Sequence, residues 1–523
     1  MRKRNFYIPR SAPPAREIEV MKLGGLRQDE KVLLLSLQGL VNRREPSLYA
    51  VDELGGGDPE FRWLEYLTTK GYRYRIVDDP YKLLDEYRWA MKGGVIYDPA
   101  LTGSFYAAAT LAGLEDAVLL SPELAKRLSL RILEDFHGRW KWDADAMEWA
   151  IQNLWPRTSR DVLYFYLYGI DPPEKGFSPT VPALDYLIAF RAFFLFAKAS
   201  VFGKPPFVGL REREKEIVEK VLSEYPPNRL VLGTCIEGFN EHLSIYYASY
   251  YGNFTTYVYH HNLSFHSGYR PEGEFRHRPI EFRDLEDKVY LCFAFSDGDN
   301  LYAVERRGTQ WADPKRGLVP LAWSQTPAAL DLMPDAMEYF YSTATPNDYN
   351  IAGCSGIGYV DPEFYGRYYG EKRGEIFDEY LRITGVYMEK MDMREIWPLK
   401  DDLQIDRRHA QVIPNLNGIF SDYLTAESYE NSIQQVEGVP VFRPLVDPWA
   451  RGDDIAGEGF KDPNYIIGEI RAKTPKVRPA FMFIGLNNWT IMPSQVVDMI
   501  EALGSEYVVV RPDEFIHLYL ESK

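Results

Sequence analysis

Cysteine is scarce in this chain: Cys235, Cys292 and Cys354 are the 3 thiols among 523 residues, widely separated and without a CxxC pair. That spacing excludes a disulfide framework and a cysteine-built zinc site, and it fits a reducing compartment. Positive charge is short as well. Lys and Arg number 60 against 76 Asp and Glu, a formal net charge of -16, which argues against a phosphate backbone as ligand, so no nucleic-acid partner is expected. An uncharged apolar run of membrane length is missing too. The nearest stretch, Ala183 to Gly203, carries Asp185, Arg191 and Lys198 through its middle and reads as a buried amphipathic helix. The basic amino terminus has no apolar core after it, so it does not read as a secretory signal, and the expectation is a cytoplasmic protein with no membrane partner. Phosphate-cradling loops of the GxGxxG or GxxxxGK type follow none of the strand patterns, and no HExxH helix is present.

Aromatic residues, by contrast, are plentiful. The chain holds 37 Tyr, 28 Phe and 11 Trp, and rings of this kind stack on sugars at a surface as readily as they pack in a core.

Length alone suggests two to four domains at ~150 residues each. The fold class expected is α/β: an amino-terminal α/β region over 1–205, divisible into two subdomains, an intermediate α/β and aromatic-rich loop segment over 206–285, and a carboxyl-terminal β/α barrel-like domain over 286–523. In the first region "GGVIYDP" and "DAVLLSP" flank the helix-like "GSFYAAATLAGLE", a βαβ pattern. The breaker Gly203-Lys204-Pro205-Pro206 marks a boundary. Next come a charged helix, "LREREKEIVEKVLSEYPPN", a strand, "RLVLGTC", and a polar-aromatic stretch without a clean period that reads as loops. Beyond Asp287, strands are expected at 289–296, 318–323, 350–354, 411–414, 440–442, 480–485 and 506–510, with helical patterns between several of them. Such a run matches the size of a β/α barrel, with an open sheet as the alternative.

The strand "VYLCFAF" is apolar throughout rather than alternating, as befits a strand covered on both faces, and it breaks off into Ser296-Asp297-Gly298-Asp299-Asn300. Parallel sheets collect ligand groups at the carboxyl ends of their strands. Other ends carry Trp323-Ser324-Gln325, a loop with Tyr359 and Asp361 after the turn that holds Asp348, the group Asn415, Asn417 and Asp422, and finally Asn487-Asn488-Trp489. Any one of these is explained by turn formation. Five together point to one polar cleft.

Carboxylates, amides and indoles in one cleft suit a carbohydrate, whose hydroxyls need donors and acceptors and whose ring face needs an aromatic platform. Glycosidic cleavage requires two carboxyl groups in different environments. The catalytic candidates are Asp299 with Asp297, Asp361 or Asp422. For binding, the candidates are Asn300, Asp348, Tyr359, Asn415, Asn487, Asn488 and His266, with Trp323 and Trp489 as stacking rings. No cofactor is expected. The rival is a metal-dependent, deacetylase-like hydrolase, in which a divalent ion takes oxygens from 297–300 and nitrogens from His260, His261 and His266; the calcium-loop pattern fails because Leu301 and Tyr302 occupy its later positions. A carbohydrate-binding protein without catalysis is the remaining alternative.

The segment "SGIGYVDP" resembles the signature of the GxGYxYP family of glycoside hydrolases. Gly356, Gly358, Tyr359 and Pro362 match in place, and Asp361 stands where the motif has its second tyrosine. "LQGLVNRREPSLY", "NLSFHSG", "FSDGDNL", "TATPNDYNIAGCSG", "FIGLNNWT" and "EYVVVRPDEF" are similar to further family blocks, in order. The resemblance implies an amino-terminal α/β region and a carboxyl-terminal β/α barrel-like domain akin to sugar hydrolases and deacetylases.

Overall fold

The computed structural model describes residues 7–55, 57–168, 182–198, 212–233, 238–257, 261–298, 300–400, 402–421, 425–446 and 463–523. The sequence candidates Asp299, Asp422 and His260 lie outside the described residues. The chain divides into two compact units, one of Met1–Pro271 with Asp331–Ala336 and Gly366–Gly370, the other of Glu272–Leu330 with Met337–Tyr365 and Glu371–Lys523.

The first unit contains three parallel sheets. Their strand orders are Leu48–Val51, Glu17–Lys22, Arg73–Val77; then Ala117–Leu120, Gly93–Ile96, Ile132–Asp135; then Phe254–Tyr257, Leu230–Gly233, Val162–Tyr168, Phe193–Lys198. Two expectations are corrected here. The stretch from Ala183 is a short helix, Leu184–Ala189, followed by the buried strand Phe193–Lys198; Arg191 turns the chain at φ 54, and the following aromatic run fits a pleated surface better than a helix. The segment read as loops holds the helix Gly238–Tyr250. Its apolar residues lie all round the cylinder, which leaves no stripe for periodicity to register.

The second unit is built on a ten-stranded sheet. Its path runs Ile433–Val436, Val439–Phe442, Gly418–Phe420, Glu395–Ile396, Asp348–Ala352, Leu321–Gln325, Val289–Phe295, Ala480–Leu486, Pro444–Val446, and Tyr507–Val509 also pairs with Val289–Phe295. All pairings are parallel except that of Ile433–Val436 with Val439–Phe442. All seven residues of the Val289–Phe295 strand are buried, each apolar side chain contributing roughly 1.5–3 kcal/mol relative to exposure. Its alternate residues Tyr290, Cys292 and Ala294 join Trp397, Phe420 and Phe483 in one core cluster, which the carboxyl-terminal helix Pro512–Glu521 enters through Phe515 and Tyr519.

The sheet bends strongly. Trp397 follows the Glu395–Ile396 strand, four places from Ala480–Leu486 in strand order. A flat sheet at ~4.8 Å per strand would put roughly 19 Å between them, yet the Trp397 and Phe483 ring centroids are 5.0 Å apart. Phe420, one strand further on, stacks on Phe483 at 4.4 Å. The Val439–Phe442 and Pro444–Val446 strands, near opposite ends of the path, are separated in sequence by Arg443 alone.

A third correction concerns the strand expected at 411–414, where the helix Leu403–Val412 ends; the strand is Gly418–Phe420. No helix among the described residues is long and apolar enough to cross a membrane.

Candidate functional site

The carboxyl ends of neighbouring strands in the second unit are tied into one platform by backbone and hydroxyl contacts. Ser296 N donates to Leu486 O at 2.9 Å. Asp297 sits at φ 58, a left-handed conformation that is sparsely populated by residues other than glycine. Gly298 N donates to Ser324 Oγ at 2.8 Å. A Cβ at Gly298 would overlap the Ser324–Gln325 backbone, and one at Gly353 would lie 2.7 Å from Gly298 Cα. Glycine is needed at both positions for three strand ends to meet.

The platform continues through the glycine-rich loop. Thr326 Oγ1 donates to Ile357 O at 3.1 Å, Ser355 N to Trp397 O at 3.0 Å, and Leu399 N to Ser355 Oγ at 3.1 Å. Two residues of the helix Arg373–Lys390 hold the loop from behind. The Tyr380 hydroxyl lies 2.7 Å from Ser355 O and 2.9 Å from Gly358 O, and Thr384 Oγ1 accepts from Ile357 N at 3.1 Å. Gly356, at φ 126, passes so close to Thr384 and Tyr380 that a Cβ would meet their oxygens at 2.6 and 2.9 Å. The first glycine of the motif therefore serves both a conformation and a close approach.

Asp361 ends this loop. It is buried, its Oδ1 accepts from Glu363 N at 2.9 Å, and its Oδ2 lies 3.3 Å from Lys400 Nζ. Burial pushes its carboxyl above the ordinary aspartate range while the Lys400 ammonium pulls the other way. Lys400 O in turn accepts from Ser421 Oγ at 3.3 Å, and that hydroxyl donates to Asp406 Oδ2 at 3.1 Å.

Beneath the platform lies a buried cation. Arg307, from the helix Tyr302–Trp311, donates to Gln325 Oε1 and Ser324 O; burial lowers its guanidinium to about 9, opposed by the charge of Asp348.

Several sequence candidates do stand at these strand ends. Asn300 Oδ1 accepts from Ala303 N at 3.0 Å and so opens the following helix. Asn487 Oδ1 accepts from Trp489 N at 2.8 Å and Thr490 N at 3.1 Å, closing an Asx turn. Asn488 is buried, and its amide makes no hydrogen bond among the described residues. Its backbone carbonyl accepts from Arg306 Nε at 2.9 Å and Gln310 Nε2 at 3.0 Å. Trp489 stacks on the exposed ring of Tyr302, centroids 5.0 Å apart and planes 24° from parallel. Tyr359 is buried on the same loop as Asp361.

Four candidates are placed elsewhere. Trp323 is fully buried, with Phe295 stacked at 4.8 Å, Trp311 at 5.3 Å and its Nε1 donating to Asp348 Oδ1 at 3.0 Å. No ring face is left for a sugar. Asp348 begins its strand at the amino end of the sheet and is paired with Arg316. Asn415 is exposed at φ 59 in the turn before Gly418–Phe420, again the amino end. His266 belongs to the first unit and is fully buried, with Nδ1 2.6 Å from Asp335 Oδ2 and Nε2 3.2 Å from Glu60 Oε2. Both ring nitrogens are engaged, so neither serves a sugar or a metal. Burial alone would lower its pKa, but the charge of Asp335 and the hydrogen bonds that Asp335 and Glu60 accept prevail and hold it at about 10. Among the described residues no group of three or more His, Cys, Asp or Glu could hold a metal ion.

Sequence reasoning missed Lys400, Arg307 and Tyr302. Arg307 was open to detection: Ala303, Val304, Arg307, Gly308 and Trp311 recur at helical spacing and are all buried, so an arginine sits on the apolar stripe. Lys400 follows a strand of two residues, too short to show a pattern.

Three parallel sheets in one unit and a strongly bent, mostly parallel one in the other make this an α/β protein with a loop platform at the carboxyl edge of its largest sheet. The chain belongs to the GxGYxYP family. The family's first amino-terminal domain matches residues 17–89, its second amino-terminal domain residues 91–158, and the "GxGYxYP putative glycoside hydrolase C-terminal domain" residues 287–520. The chain is also similar to a crystal structure described as a putative hydrolase from Bacteroides thetaiotaomicron VPI-5482, with a TM-score of 0.79, 21% identity, and coverage of 99% of this chain and 97% of the other. At that identity the likeness is one of fold. No curated protein matches the chain.

Proposed function

We propose that this protein is a glycoside hydrolase that cleaves a saccharide on the strand-end platform of its second unit, and that the bent sheet there closes as a β/α barrel through the chain at Arg443. Two contacts support closure: the 4.4 Å stacking of Phe420 on Phe483 and the one-residue step between Val439–Phe442 and Pro444–Val446. The observation that carries the chemical reading is Asp361. It is a buried carboxyl with a raised pKa, braced by an ammonium group at 3.3 Å, on the loop that gives the family its motif. Burial shifts such a carboxyl toward its protonated form, the form that donates a proton to a departing glycosidic oxygen. Asp297, at the end of Val289–Phe295 two strands along the sheet and held in a strained backbone, supplies the ionised partner in this scheme; Asp299 and Asp422 remain sequence candidates for the same role. Asn488 contributes amide donors to hydroxyl groups, and the Trp489–Tyr302 stack offers an aromatic face.

Turnover of a panel of aryl glycosides and oligosaccharides by wild type, Asp361→Asn and Asp297→Asn, with and without a chelator, tests the scheme. Turnover that survives chelation and collapses in both variants supports it. Loss on chelation assigns the chemistry to a metal ion. Saccharide binding without turnover assigns the platform to a binding protein.

A further inference from the structure

The second amino-terminal domain carries an aromatic surface that the proposed hydrolysis does not use. The edge strand Ile132–Asp135 runs at its carboxyl end into Phe136-His137-Gly138-Arg139-Trp140-Lys141-Trp142, which leads into the helix Asp143–Asn153. This connection is well anchored. Phe136 N donates to Ile96 O at 2.9 Å, Gly138 N to Asp98 Oδ2 at 2.8 Å, and Trp142 N to Asp145 Oδ2 at 3.0 Å. Phe136 is fully buried and forms the floor. On it lie Trp140 at 4.9 Å and Trp149 at 5.1 Å, with 5.5 Å between the two indoles.

Charge frames the rings. The Arg139 guanidinium lies 4.6 Å from the Trp149 centroid and 5.1 Å from that of Trp140, and it pairs with Glu134 at 3.0 Å. Lys141 Nζ sits 5.2 Å from the Trp142 ring. Trp142 is 59% exposed, the most exposed tryptophan in the described residues. Burying an indole is favourable, so holding one in solvent forgoes that gain unless a ligand covers it. Among the described residues no acceptor takes the indole N–H of Trp140, Trp142 or Trp149.

We propose that Trp140, Trp142 and Trp149 form a binding surface for a neutral polysaccharide, independent of the catalytic reading of the second unit. Flat apolar faces with free N–H donors at their edges match a pyranose, which is apolar across the ring face and polar round its rim. Each indole has two side-chain torsions, so ordering it on a ligand costs little entropy. The carboxyl end of a parallel sheet is where such folds present ligand loops. Neutral rather than anionic chains fit, because Arg139 is already paired with Glu134 and the whole protein carries a net charge of -16, which repels a polyanion.

Affinity gel electrophoresis of the full chain through starch, mixed-linkage β-glucan, mannan, xylan and galactan, with pectate as the anionic control, tests the assignment. Wild type should be retarded by at least one neutral polymer. Trp142→Ala should weaken retention about two- to tenfold, Trp140→Ala with Trp142→Ala should abolish it, and Trp142→Phe should keep part of it. Asp361→Asn should be retained like wild type, which separates this surface from the platform of the second unit. The melting temperature of Trp142→Ala should be unchanged, since the ring is exposed. No retention by any neutral polymer, retention by pectate alone, or undiminished retention of the double variant would overturn the proposal.

Discussion

Two polar constellations, one in each unit, contain the same kinds of residue and behave oppositely. Around His266, the block "LQGLVNRREPSLY" meets the block "NLSFHSG": Gln38 Nε2 donates to Asn262 Oδ1 at 2.7 Å, Asn42 Nδ2 to Ser264 Oγ at 2.8 Å, and Asn262 Nδ2 to Glu60 Oε2 at 2.8 Å. The imidazolium between Asp335 and Glu60 completes a buried ion network. Its polar groups face one another across some two hundred residues of sequence, and their work is to hold the unit together. At the strand ends of the second unit, glycine contacts, backbone hydrogen bonds and the hydroxyls of Ser324, Thr326, Ser355, Tyr380 and Thr384 do the holding, and Asp297 and Asp361 are presented on that frame. Similar composition thus serves cohesion in one place and presents carboxyl groups in the other. The difference lies in whether charged and amide side chains, or hydroxyl and backbone groups, satisfy most of the local hydrogen bonds.

The largest effect that would break this contrast belongs to Asp361. Asp361→Asn should lower kcat by about a hundred- to ten-thousandfold while the melting temperature stays near wild type. Asp361→Tyr, which restores the family motif, should lose the same activity; if it does not, the acid is another carboxyl.

Next comes Asp335→Ala, which leaves a buried imidazolium with one partner and should cost about 3–5 kcal/mol in denaturant unfolding. Its pH signature follows from the raised His266 pKa. That stabilisation is complete below about 6.5 and is lost as pH rises through about 10, so wild type should weaken across that window and the variant should respond less.

Glu395 sharpens the comparison within the second unit. It is a fully buried carboxyl pushed up to about 8 by burial and then by the charge of Asp513. Among the described residues it makes no hydrogen bond of standard geometry, although Tyr349 and Asn417 lie near enough to ease the shift. Because the fold favours the neutral form, stability should fall as pH rises from about 4.5 through about 8. Glu395→Gln should remove that slope and raise stability at pH 9 by roughly 1–3 kcal/mol, less than the full shift implies because water and relaxation intervene.

Gly356→Ala should destabilise the second unit by about 1–3 kcal/mol through crowding against Thr384 and Tyr380, and it should reduce turnover by displacing Asp361. Thermal unfolding and kinetics on the same sample separate the two. The smallest effect expected is at Trp489, where alanine should weaken saccharide affinity about two- to tenfold by calorimetry.

The legibility of these features follows their range. Val289–Phe295 was readable because seven consecutive apolar residues require two covered faces. The motif glycines were readable as a turn, but the reason for Gly356 was not, since it is set by Thr384, 28 positions away. Trp323 misled because a strand end offers two faces, and only the packing of Trp311 and Phe295 shows which one the indole took. Asn415 misled because its strand starts later than the apolar pattern suggested. His266 looked like a loop residue beside other histidines, and nothing local announced Asp335.

The amino-acid order by itself determined the α/β class, the buried central strand and the polar character of its carboxyl end, because hydrophobic runs and turn formers act between near neighbours. Tertiary structure alone decided which polar residues are spent on cohesion and which are presented at the strand ends. A carboxyl's partners and its pKa depend on burial and on charges contributed by distant segments, and no periodicity encodes those.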